Sequence, residues 1–463
     1  MNHPSILRRE YLFVSLALAT LIPGAWMMGG YYSKAPYWMG IGGWVCGLVA
    51  LYQVLRRPAL WKTSVASHPV WLGWGVLVVW LLISLLNPTY RPVDLPTGST
   101  YALGESVDWL PGVMSVQRSG PMILQLTGSM VLAWSFMALV RSGRRMRLFL
   151  WGLLINAFVL SLVGAWFKVT GAENILQVFQ AVNPKFFASF TYHNHWVAFA
   201  GFHLMLGTGL ACYYSFHPAR QVTRGRGANR IVFLWVANFF LLLSLFLCES
   251  RTGLLFAAAY GFILVLYFMR RWLVARDKPV AWISWTLGFG LLALGWFSYQ
   301  IVLPQLSRTT GRVEEAWYAI WDNESEVDNF RFNVGPRITT RLIARKPYLG
   351  WGWGSYPFAM SIYAPDYLDD QYAQFAHNDW LQFVAELGAV GCFLFVFPLV
   401  HMSIYFRPQN NLTRFTRVGM ALLLAMAFFE GPFTNPVVLA CVLCVLGLDL
   451  SISQQKAFLQ ASG

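Results

Sequence analysis

Residues 372–388, "YAQFAHNDWLQFVAELG", set His377, Asn378 and Asp379 side by side where an apolar run begins. Crossing lipid requires none of the three. Asp379 and Gln382 have the D-x-x-Q spacing of an N-cap and its partner, so a helix is expected to start there with His377 just ahead of it. The positive end of a helix favours anions and disfavours a protonated imidazole. A neutral histidine beside an anion-binding helix start is what a general base needs. The plainer alternative is a histidine bonded to backbone near the cap.

Arginines supply the complementary chemistry. In "LCESRTGLL", Glu249, Ser250 and Arg251 form the whole link between two apolar runs. So short a hairpin leaves Arg251 either facing a polar cavity or snorkelling to headgroups beside Glu249. In "DNFRFNVGPRITTRLIARKPYLGWGWGSYPF", Arg331, Arg337 and Arg341 precede glycines at 350, 352 and 354. The guanidinium fork suits bidentate phosphate binding and stays charged in poor solvent. A solvated loop charge is the plainer reading of any one of them. The glycines permit tight turns but lack the Walker spacing of a phosphate loop.

"SFTYHNHWVAFAGFHL" adds His193, Asn194, His195 and the deeper His203. His193 and His195 are two apart and share no helical face, so hydrogen bonding is expected there rather than metal binding. No D-x-D occurs, so a metal–nucleotide clamp has no candidate, and neither metal nor cofactor is expected. Glu386, two turns beyond Asp379, is expected to be a buried carboxylate with a polar partner.

The elements that position these groups are membrane spans. Of 463 residues, 57% are hydrophobic and 12% charged, a balance that points to an integral membrane protein. Twelve apolar runs are long enough to cross a hydrocarbon core of about 30 Å. They lie at 11–30, 36–55, 69–87, 121–140, 147–167, 193–215, 231–248, 252–269, 281–303, 380–405, 416–432 and 435–453. With the N-terminus in the cytoplasm, 21 of the 34 basic residues fall in cytoplasmic links, among them Arg56, Arg145, Arg224, Arg270 and Arg417. The net charge of +14 therefore reports topology and not a nucleic-acid partner. Both termini are expected inside, with the candidate residues on the outer face.

The six cysteines lie in or beside apolar runs, so Cys441 and Cys444 read as packing residues and not as a redox pair. Residues 88–120 read as an irregular external loop. Residues 304–379, between spans nine and ten, read as an ordered external module with a helical stretch at 336–346. The whole is one polytopic membrane domain, 1–463, all-α, with no soluble domain.

Four stretches taken in order, "SFTYHNHWVAFAGF", "ESRTGLLF", "RKPYLGWGWGSYPF" and "FAHNDWLQFVAELGAVG", resemble the O-antigen ligase and polymerase superfamily. The resemblance covers roughly residues 185–400. It implies a bacterial inner-membrane glycosyltransferase of the C type. Such an enzyme takes a glycan from undecaprenyl pyrophosphate at the periplasmic face and joins it to an acceptor hydroxyl. His377 matches the family histidine. Arg251 matches an arginine of a Ser-Arg-Gly-like motif, with Thr252 intervening before Gly253. The second arginine lies upstream of the Pro-Gly run. Arg331, sixteen residues before Pro347, matches that spacing, and Arg337 is the alternative because the family's tryptophan is missing after Arg331.

The catalytic set so implied is His377, Arg251 and Arg331, with Arg337, Arg341, Asn194, His195 and Asn378 around the substrate. The acceptor is lipid A–core for a ligase, another lipid-linked glycan for a polymerase, or a pilin-type protein, and the motifs fit all three. Membrane lipids surround it in every case. A polysaccharide or lipid transporter is the rival from another class. Transporters gather ionisable residues near mid-membrane in repeated halves, whereas these gather at span ends.

Overall fold

The computed structural model describes residues 4–58, 62, 64–95, 98–180, 185–216, 224–274, 333–363, 374–408 and 410–461. The apolar runs form helices α1 (Pro4–Trp26), α2 (Ala35–Arg56), α3 (Leu72–Ser84), α4 (Val116–Leu139), α5 (Gly143–Thr170), α6 (His193–Ser215), α7 (Arg224–Leu247) and α8 (Arg251–Val274). Among the described residues, two short helices follow, α9 (Gly335–Arg345) and α10 (Tyr356–Tyr363), and then α11 (Asp379–Tyr405), α12 (Asn411–Met426) and α13 (Pro436–Ala461).

Among the described residues, eight helices are long and apolar enough to cross a membrane, and Glu10–Trp26 and Pro69–Ser84 are apolar but shorter. Eleven of the twelve apolar runs fall on helices, and the run at 281–303 lies outside the described residues. α12 has only 16 residues and carries Arg414 and Arg417, and it is not among those eight.

Position in the bundle follows from which faces are apolar. The spanning windows of α6 and α13 are each 94% buried, which makes these two helices the core. α2 and α8 instead turn Ile41, Leu48 and Leu55, and Leu255, Phe262 and Leu273, outward. Helices apolar on their outer faces are suited to lipid rather than water. Where α2 crosses α4 the backbones nearly touch: a Cβ on Gly43 would lie 2.2 Å from the Gly128 carbonyl oxygen. Close approach of this kind replaces the hydrophobic drive that lipid cannot supply.

Two arginines counted as loop charges turn inward. Arg145 meets Glu10 of α1 at 2.9 Å, and Arg417 meets Asp449 of α13 at 2.6 Å. Arg417 also donates to the Ser403 carbonyl at 2.7 Å, so each charge is neutralised where water is scarce.

Residues 88–120 are not an irregular loop throughout, and the chain is not wholly α. β1 (Tyr90–Leu95) pairs antiparallel with β2 (Gly98–Leu103), from Tyr90↔Leu103 to Leu95↔Gly98. Tyr90 and Tyr101 rest on Phe358 of α10, at ring distances of 5.4 and 4.8 Å. Tertiary packing, rather than strand alternation, fixes the hairpin. The Asn87 side chain ties down residues 107–111, accepting from Val107 N at 2.8 Å and donating to the Pro111 carbonyl at 3.3 Å. A smaller hairpin joins β3 (Asn174–Ile175) to β4 (Phe179–Gln180).

Candidate functional site

The platform is a break in α11. Gly388 has φ +66° and ψ 176°, so the helix stops for a residue and frees backbone groups within an apolar helix. The "GWGWG" turn satisfies them. Trp351 N donates to the Ala385 carbonyl (2.9 Å) and Gly352 N to that of Glu386 (2.8 Å), while Ala389 N donates to the Pro347 carbonyl (2.8 Å). The Glu386 side chain accepts from Gly354 N (3.0 Å) and Tyr356 N (2.9 Å), the polar partners its sequence position demanded. Gly350 fits only as glycine: its φ is +69°, and a Cβ would lie 2.3 Å from the Glu386 carbonyl oxygen.

This platform fixes the start of α11. The N-cap is Asn378 rather than Asp379, its side chain accepting from Leu381 N at 3.0 Å and donating to the Phe428 carbonyl at 2.8 Å. Asp379 points elsewhere. Its carboxylate accepts from Phe433 N (2.6 Å) and Thr434 N (3.2 Å), pinning the turn between α12 and α13. Gln382 reaches back to Ala376 N at 3.1 Å. Between these anchors His377 is held at φ +49°, an unusual conformation for a residue with a side chain.

His377 lies beside Glu430, Nδ1 to Oε2 at 3.9 Å, and both are buried. Glu430 accepts from Asn194 Nδ2 at 2.5 Å, from the Tyr192 hydroxyl at 3.1 Å and from the Thr252 hydroxyl at 3.5 Å. Asn194 in turn accepts from the Ser250 hydroxyl, which also accepts from Gly253 N at 3.1 Å. The starts of α6, α8 and α11 therefore meet on one carboxylate supplied by the turn after α12.

His195 stacks on Tyr31 at 5.2 Å, with Phe375 edge-on to it at 5.9 Å. Burial, and then the Asp379 carboxylate, push the Tyr31 hydroxyl above its usual range, so it remains a neutral donor to the Thr434 carbonyl.

Of the residues expected from sequence, His377, Asn194, His195 and Asn378 come together here. Arg251 opens α8 immediately before Thr252, and Glu249 before it adopts φ +52° in the turn. Arg337 and Arg341 lie on the exposed side of α9, whose buried side is bonded through Thr339 to Tyr356 (2.8 Å) and through the Leu342 carbonyl to Trp351 (2.9 Å). They are not among the side chains that meet Glu430. Arg331 lies outside the described residues. His203 bonds the Phe199 carbonyl at 2.7 Å within α6. Among the described residues, no three His, Cys, Asp or Glu side chains converge as a metal-ligand set.

Sequence reading missed Glu430 and Tyr192. The available signal was an acid at the end of a short apolar run, "FFEGPF", where burial without a partner is costly.

None of the curated proteins matches the chain. The O-antigen ligase family matches residues 236–396, from within α7 into α11, a stretch that includes Arg251, the "GWGWG" turn, His377 and the break at Gly388. Residues 236–396 thus carry an O-antigen ligase domain, which supports a relationship to the O-antigen ligase and polymerase superfamily of polysaccharide biosynthesis.

Proposed function

We propose that the chain transfers a glycan from undecaprenyl pyrophosphate to an acceptor hydroxyl at the periplasmic face of a bacterial inner membrane. In this reading the bundle has twelve spans and the glycosyltransferase C-type architecture, with both termini cytoplasmic. The observation that carries the proposal is a buried histidine that, like Arg251, lies within the O-antigen ligase match, set beside a buried carboxylate from outside it.

His377 removes the proton of the acceptor hydroxyl, whose oxygen attacks the anomeric carbon. The bond from that carbon to the pyrophosphate oxygen breaks, and undecaprenyl pyrophosphate leaves as an anion. Arg251, with Arg331 or Arg337 and with Arg341, holds the diphosphate and takes up the charge that develops on it. One displacement inverts the anomeric centre. With the leaving group so neutralised, neither metal nor general acid is needed. Asn194, His195 and Asn378 line the approach to the histidine.

The test is the purified protein in liposomes, supplied with undecaprenyl-pyrophosphate-linked repeat units and EDTA. A ladder from donor alone identifies a polymerase; transfer only after lipid A–core is added identifies a ligase. His377→Ala is expected to lose roughly 10²–10⁴-fold in transfer while still binding donor. Turnover at the wild-type rate in that variant removes His377 as the base. Donor crossing the bilayer without bond formation would favour the transporter.

A further inference from the structure

We propose that Glu430 is the positioning residue of His377: it selects the ring's tautomer and orientation and balances the imidazolium formed during transfer. The inference rests on His377 being the base.

Among the described residues, the neutral groups Asn194, Tyr192 and Thr252 donate to Glu430. A side-chain amide or a backbone carbonyl could accept from these as well. A carboxylate differs in carrying a full charge, and here it is only 1% exposed. Burying that charge is unfavourable unless the site uses it. A group placed to use it is the His377 imidazole, 3.9 Å away. With Nδ1–H directed at the carboxylate, Nε2 becomes the basic nitrogen, and the cation formed on protonation faces a fixed negative charge. Catalytic contacts that are long in a ligand-free site tighten when substrate binds.

The three donors also hold Glu430 still. Tyr192 and Asn194 fix it to the start of α6, and Thr252 fixes it to the start of α8. Thr252 adjoins Arg251, so one carboxylate sets the spacing between the base and an arginine proposed to bind the diphosphate. Asp379 does not compete for this role, because its oxygens are taken by Phe433 N and Thr434 N. Glu430, Asn194 and Tyr192 all lie outside the stretch that matches the family.

The experiment compares wild type, Glu430→Gln, Glu430→Asp and His377→Ala as full chains in liposomes, with undecaprenyl-pyrophosphate-linked repeat units as donor and lipid A–core supplied where needed. Expected for Glu430→Gln is a kcat loss of roughly 100-fold or more, with donor KM and thermal midpoint close to wild type. Glu430→Asp restores a large part of that kcat.

Wild-type kcat in Glu430→Gln overturns the inference. So does a joint loss of kcat, KM and thermal midpoint that Glu430→Asp does not relieve, since that pattern marks a structural tie alone. If Glu430→Gln does not fold, Glu430→Asp decides: lowered kcat at unchanged KM and midpoint upholds the inference, and wild-type kcat overturns it. A fully active His377→Ala would instead remove the proposed base, whereas an inactive His377→Ala beside a fully active Glu430→Gln removes only the role of Glu430.

Discussion

At the scale of the residue, charge placement decides what this site can do. His377 and Glu430 are both buried, and the carboxylate is tied to two helix starts, so the pair is fixed before any substrate arrives. Arg251 completes the chemistry only if its planar fork engages a diphosphate. Arg251→Lys keeps the charge and removes the fork, so we expect transfer to fall roughly tenfold or more, with the loss visible in donor KM as well as kcat. Initial rates across a donor titration check this, and unchanged kinetics would show that Arg251 acts as a simple surface charge. His377 and Arg251 drew attention in the sequence because each stands at the edge of an apolar run. Glu430 did not, because its partners come from residues 192, 194, 252 and 377, and no spacing rule spans such separations.

At the scale of the element, the broken helix α11 and the "GWGWG" turn form one unit. Four backbone hydrogen bonds link the two strips, including Val390 N to the Tyr348 carbonyl at 3.2 Å. Gly350→Ala would place a Cβ against a carbonyl oxygen and force a left-handed conformation on a residue with a side chain. The expected cost is at least about 1–3 kcal/mol, measured as a lowered thermal midpoint in detergent, with transfer lost because the same platform seats His377. A midpoint equal to wild type would mean that the turn shifts freely. Hydropathy located α11 to within a residue of its start, yet it gave neither the break nor the true cap. Asn378 and Asp379 are both good N-caps by type. The choice between them was made by the α12–α13 turn, whose Phe433 and Thr434 amides claim Asp379. Likewise the 336–346 stretch was readable as a helix, while the hairpin at 90–103 depended on Phe358, far away in sequence.

At the scale of the whole molecule, buried ion pairs bind helices that hydropathy alone would leave interchangeable. Arg145 and Glu10 join α5 to α1 with little exposure of either side chain. Arg145→Met leaves Glu10 buried without its counter-charge, and we expect a loss of roughly 3–5 kcal/mol, read as a lower thermal midpoint and poorer yield from membranes. The double change Arg145→Met with Glu10→Gln should recover most of it. A double variant no better than the single would show that the pair's charge is not what holds the helices.

The carboxylate on which three helix starts converge belongs to residue 430, in the link between α12 and α13 and downstream of all three. During synthesis every earlier helix can enter the membrane before that link leaves the ribosome. The ring of contacts around His377 therefore closes only when the α12–α13 hairpin docks. A chain released before residue 430 would hold His377 and Thr252 without the carboxylate they share, so the centre is assembled only once the α12–α13 turn is in place.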